Sequence, residues 1–132
     1  MCLCPGTYQG EESFLNSMVI HEAAFGPLEE IIEKHSPQYA RPYAHWGVSV
    51  VSREEWMLIL DNWEEERVRL QNGGGLPTAS RLVAYNRLVS GTTGSEPNLP
   101  ENTRRLMVLI EELSEWLRKT LQTYDQVCIL GI

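Results

Sequence analysis

The stretch YAHWGVSVVSREEWMLILDNWEEERVRLQNGGG, residues 43–75, changes its period half-way along, and that change decides the fold class. Between Tyr43 and Val51 the side chains alternate. Ala44, Trp46, Val48 and Val50 share one side, and Tyr43, His45, Gly47 and Ser49 the other. Such alternation predicts a half-buried strand, because successive side chains of an extended chain point to opposite faces. Ser52 and Glu55 then have the spacing of a capping box, in which each side chain satisfies a free N–H at the start of a helix. A helix is predicted from Arg53 to Gln71, ended by Asn72 and by Gly73, Gly74 and Gly75. Helical periodicity puts Trp56, Ile59, Leu60, Trp63 and Leu70 on one stripe with Arg67 at its centre. A guanidinium in that place must pair with a carboxylate or lay its stem over the edge of the core. The opposite face holds Glu54, Leu58, Asp61, Glu65 and Arg69, so one leucine stands among charges.

Towards the start of the chain, Pro27 suits the first position of a short helix, Leu28–His35, which Pro37 stops. Gly26 ends an earlier helix, predicted from Glu11 to Phe25 on the spacing of Phe14, Met18, His21 and Phe25. Residues 1–10, MCLCPGTYQG, show no period and are read as an irregular arm. Towards the end, Thr78 can cap a helix over Ala79–Val89 with Leu82, Tyr85 and Val89 facing inward, and residues 91–100 form a loop. A long helix over Glu101–Gln122 carries the stripe Leu106, Leu109, Ile110, Leu113, Leu117 and Leu121. The segment VCILGI, residues 127–132, is apolar on both parities, which fits a strand covered on both faces and paired with Tyr43–Val51. The expected architecture is therefore mostly α: one compact domain over residues 1–132, with four to five helices and a small two-stranded β element of the α+β class.

The net charge of −7 weighs against direct nucleic-acid binding, which needs cations to neutralise phosphates. The acidity is uneven. Residues 1–66 carry twelve acids against Lys34, Arg41 and Arg53, a balance of −9, whereas residues 67–132 balance at +2. No apolar run is long enough to span a membrane and no secretory leader precedes the domain, so no membrane partner is expected. The three cysteines, Cys2, Cys4 and Cys128, form no paired framework. These features together suit a cytoplasmic protein.

Motifs for chemistry are sparse. His21-Glu22 lacks the second histidine of a zincin helix, since Phe25 stands in its place, and no metal site is expected. A nucleophilic site would have to join Cys4 or Cys128 to His21, His35 or His45 across the fold. The glycines 73–75 before Thr78 match no phosphate-binding pattern, and no cofactor is expected. The leading expectation is a small, acidic, non-catalytic binding protein that docks on and inhibits a basic protein partner, immunity- or antitoxin-like in character. Its contact face would be Glu54, Leu58, Asp61 and Glu65, an apolar anchor ringed by carboxylates. The alternatives are a small enzyme with a His/Cys or His/carboxylate site, and a homo-oligomerising scaffold, a homodimer for example, joined through VCILGI or Val108.

Overall fold

The computed structural model describes residues 1–10, 15–39, 47–73 and 99–131, and all that follows concerns these residues. In chain order they form β1 (Cys2–Pro5), β2 (Met18–Val19), α1 (Glu22–His35), β3 (Val48–Ser52), α2 (Arg53–Gln71), α3 (Leu99–Thr120) and β4 (Gln126–Leu130). The strands make one antiparallel sheet in the order β2-β1-β4-β3. This corrects the expected fold class: among the described residues there are three helices and a four-stranded sheet, not four to five helices and a two-stranded element.

The sheet is larger than expected because the irregular arm is in fact β1. Its Cys2, Leu3 and Cys4 are fully buried, and its register with β4 runs from Cys2↔Leu130 to Pro5↔Val127. Pro5 fits here because Gly6 N donates to Gln126 O (2.9 Å). Bonding to an antiparallel neighbour alternates, so the N–H that proline lacks would have pointed away from β4. The pairing of β3 with β4 is present as expected, Val48↔Leu130 through Ser52↔Gln126.

The alternation read over β3 is present, but its Val48/Val50 side is the more exposed one. Ser49 and Val51 are buried, whereas Val48 and Val50 are 47% and 43% exposed. The reason lies on the two faces of the sheet. Leu3, Val51, Val127 and Ile129 face the helices, in one core with Phe25, Leu28, Ile32, Trp56, Trp63, Ile110 and Leu117. The other face also buries apolar groups, Cys2, Cys4, Cys128 and Leu130, with Tyr8 packed against them. With both faces apolar, the alternation of β3 could not say which one meets the helices.

The two helices predicted before residue 36 are replaced by a strand and one helix. Met18 and Val19 belong to β2, and α1 runs through Gly26 and Pro27 without a stop. Pro27 lies early in α1, following bonds from Ala24 N and Phe25 N to His21 O, and it is itself buried. Residues 11–14, 40–46, 74–98 and 132 lie outside the described residues. With them go Phe14, the first half of the Tyr43–Val51 strand, the Ala79–Val89 helix and most of the 91–100 loop.

Helix α2 follows the reading closely. Ser52 accepts from Glu55 N at 3.3 Å as N-cap, and Trp56, Ile59, Leu60, Trp63 and Leu70 are buried. The Glu55 carboxylate turns to Gln38 Nε2 (3.4 Å), so the capping bond is one-sided. The indoles of Trp56 and Trp63 meet edge to face at 6.0 Å, and their N–H groups donate to Val127 O (3.0 Å) and Leu28 O (3.4 Å). These two bonds fix α2 to the central strand and to α1. Arg53 closes the other junction: its Nε donates to Leu121 O (2.9 Å) and its Nη2 reaches Tyr124 O and Asp125 Oδ1 at 3.0 Å.

Candidate functional site

The core stripe of α2 determines where its opposite face points. With Trp56, Leu60 and Trp63 buried, Glu54, Leu58, Asp61 and Glu65 are all exposed, and no described helix covers them. Leu58 is 51% exposed, and Met57 next to it and Val68 nearer the end of the helix are also open. The sequence reading therefore places these four side chains on one accessible face.

The charges around that face divide into paired and unpaired groups. Arg67 grips Glu64 with two bonds, of 2.6 and 2.9 Å, and reaches Glu111 Oε1 on α3 at 3.2 Å. This is the carboxylate pairing expected of a guanidinium on the core stripe. It holds the Glu64 carboxyl below its ordinary range, chiefly through the Arg67 hydrogen bonds. Arg69, placed by periodicity on the outer face, instead folds back to Glu66 at 2.6 and 2.7 Å. Of the run Glu64–Glu66, only Glu65 has no ion pair among the described residues, and Glu54 has none either. Asp61 stands 3.9 Å from Arg118, with both side chains largely in water. The face thus keeps a surplus of negative charge around Leu58.

Glu65 also borders a cleft of about 360 Å³ between α1 and α2, whose apolar side is Pro27 and Ile31 and whose rim includes Glu30, Lys34 and Asn62. This cleft is a concave feature continuous with the exposed face; a second depression at Glu65 is lined by Glu64, Val68 and Arg69 of α2 and by its C-cap Asn72. Periodicity within α2 could not show the cleft, because half of it comes from α1.

The residues weighed for nucleophilic chemistry are distributed differently. Cys2, Cys4 and Cys128 converge on the outer side of the sheet, with the Cys2 and Cys4 sulfurs 3.6 Å apart and Cys128 Sγ donating to Gly6 O at 3.1 Å. His21 is exposed before α1, His35 ends α1 with a buried Nε2 that lacks a partner, and His45 lies outside the described residues. No histidine is among the described groups acting on Cys4 or Cys128. Among the described residues no group of three or more His, Cys, Asp or Glu could hold a metal, and no helix is long and apolar enough to cross a membrane. No protein-family model, curated protein or solved structure matches the chain.

The segment proposed as a copy-to-copy contact is also relocated. Residues of VCILGI form β4, which has β1 on one side and β3 on the other, so neither edge is open to a second chain. Val108 on α3 does remain partly exposed.

Proposed function

We propose that the protein is a small acidic binding protein, without catalysis, that docks on and blocks a basic protein partner through α2. The observation that carries this reading is the half-exposed Leu58 between unpaired Glu54 and Glu65, with Asp61 beside them, on a helix whose other face is locked in the core. An apolar anchor with a charged rim suits an interface in which the anchor sets the dissociation rate and the rim steers association. The local excess of carboxylates selects cations, and the chain's net charge of −7 extends that preference over longer range. Three free thiols suit a reducing, cytoplasmic setting.

The experiment is affinity capture with three baits side by side: the parent, Asp61→Lys/Glu65→Lys and Leu58→Ala. A basic protein held by the parent should be released as salt rises. It should associate more slowly with the double lysine variant, whose association loses its salt dependence, and dissociate faster from Leu58→Ala. Equal retention on all three baits would place the contact elsewhere. The variants should keep the parent's melting behaviour, since substitutions at exposed positions usually change stability by no more than about half a kcal/mol.

A further inference from the structure

Strand β3 lies at the end of the sheet order and has β4 as its one strand neighbour among the described residues. Its hydrogen-bonding phase follows from its flanks. Gly47 O accepts from Gly131 N (3.0 Å) and Arg53 N donates to Asp125 O (2.8 Å), so residues 47 and 53 turn their polar groups to β4. In an antiparallel ladder this orientation recurs at every second residue. Ser49 and Val51 therefore also face β4, and Val48, Val50 and Ser52 face away. The N–H groups of all three, and the C=O groups of Val48 and Val50, lie along the free edge; the Ser52 carbonyl belongs to the first turn of α2.

Space for a chain lies beside those groups. A groove of about 330 Å³ is lined by Val48 and Val50 from the outer face of the sheet and by Ser49 from the inner face, so it opens on the edge and not above either face. Gln38, Ser52 and Glu55 bound it as well. Glu55 Oε2 is buried there without a hydrogen-bond partner, while Oε1 accepts from Gln38. The outer face also continues in rows across the sheet: Val19, Cys2, Leu130 and Val48 in one, Cys4, Cys128 and Val50 in the next.

We propose that the free edge of β3 binds an extended segment of a partner polypeptide by strand addition. Alternating backbone donors and acceptors at ladder spacing are matched by another extended backbone and by little else. The added strand would carry β-branched side chains beside Val48 and Val50, extending the two apolar rows, and a lysine or arginine at the Glu55 end. Charge favours such a basic segment over the β3 of a second copy, which would bring the same net charge of −7. The edge is separate from the exposed face of α2, and its test does not depend on the reading of that face.

The probe is a labelled heptapeptide of alternating valine and threonine ending in lysine. Its controls are the same peptide N-methylated at alternate residues and one ending in glutamate. In the free protein the amides of Val48, Val50 and Ser52 should exchange quickly, and saturating lysine peptide should slow all three. N-methylation should weaken binding about tenfold or more, and the glutamate ending several-fold. Val50→Pro should do the same as N-methylation without unfolding the chain, because it deletes a donor at the free edge and none facing β4, as Pro5 does in β1. Should that variant fail to fold, Val50→Lys, a charge of the kind that blunts sheet edges, carries the same expectation. The proposal is overturned if these amides are already protected in the free monomer, if no peptide slows them at millimolar concentration, or if the N-methylated peptide binds as well as its parent. A dimer in solution that Val50→Pro dissolves would make a second copy the occupant and overturn it too.

Discussion

Cys4 shows how position in a sheet sets the chemistry of one side chain. Burial, and after it the contact with Cys2, pushes its pKa from 9.0 up to about 12, and burial likewise raises Cys128. A thiol held neutral in this way is a small hydrophobe and a poor nucleophile. The folded chain keeps the Cys4 proton at pH values where the unfolded chain has released it. The resulting stability is fully present below about pH 9 and is lost as pH rises toward 12. The denaturation midpoint of the parent should therefore fall over that range more steeply than that of Cys4→Ala. Iodoacetamide at mildly alkaline pH should label Cys4 only after denaturant is added. Equal slopes for the two proteins, or rapid native-state labelling, would show that the thiol is less enclosed than the geometry of β1 indicates.

Among the elements, β4 holds the sheet together, since it is paired on both edges and presents a buried residue to each face at nearly every position. Deleting residues 126–132 removes the buried Val127, Cys128, Ile129 and Leu130. At about 1.5–3 kcal/mol for each large aliphatic side chain, the loss rivals the whole stability of an ordinary domain. The truncated chain should show helical circular dichroism but no cooperative denaturant transition; a transition like the parent's would mean that β4 is dispensable. This strand was legible because a run apolar on both parities and too short for a helix has few other readings. The core stripe of α2, its Ser52 cap and its exit at Asn72 were legible for a similar reason: local chemistry and burial agree there. Strand β1 was not, because its four residues combine two cysteines with a proline and their full ladder is with a segment more than a hundred residues away. Pro27 also misled, since a proline early in a helix resembles one at its start. For the candidate site, periodicity found the exposed α2 face but assigned Arg69 to it, and a side chain that folds back on Glu66 leaves no trace in spacing. The free edge of β3 was hidden as well, because a strand's place in the sheet depends on its neighbours.

For the molecule as a whole, the place of β4 between β1 and β3 has a consequence for synthesis. Strands β1, β2 and β3 emerge from the ribosome first, yet beyond the short ladder of β1 with β2 neither β1 nor β3 has its β4 partner until residues 126–130 follow. At roughly 5–20 residues per second, the β1–β2 pair waits several seconds for β4 while α1, α2 and α3 are made. During that interval the helices can form locally, but the complete sheet is not there to template them. Refolding of the complete chain should accordingly show helical signal gained in an early phase. The Trp56 and Trp63 fluorescence change should follow more slowly, on the millisecond-to-second scale of non-local pairing, because Trp56 reaches its final place only when Val127 O accepts its N–H. If both signals rise together in microseconds, the helices assemble without the strand. The nascent chain meanwhile exposes the thiols of Cys2 and Cys4 and the side of α2 that β4 will later cover, so the protein depends on protection from oxidation and aggregation more during its synthesis than at any time after it.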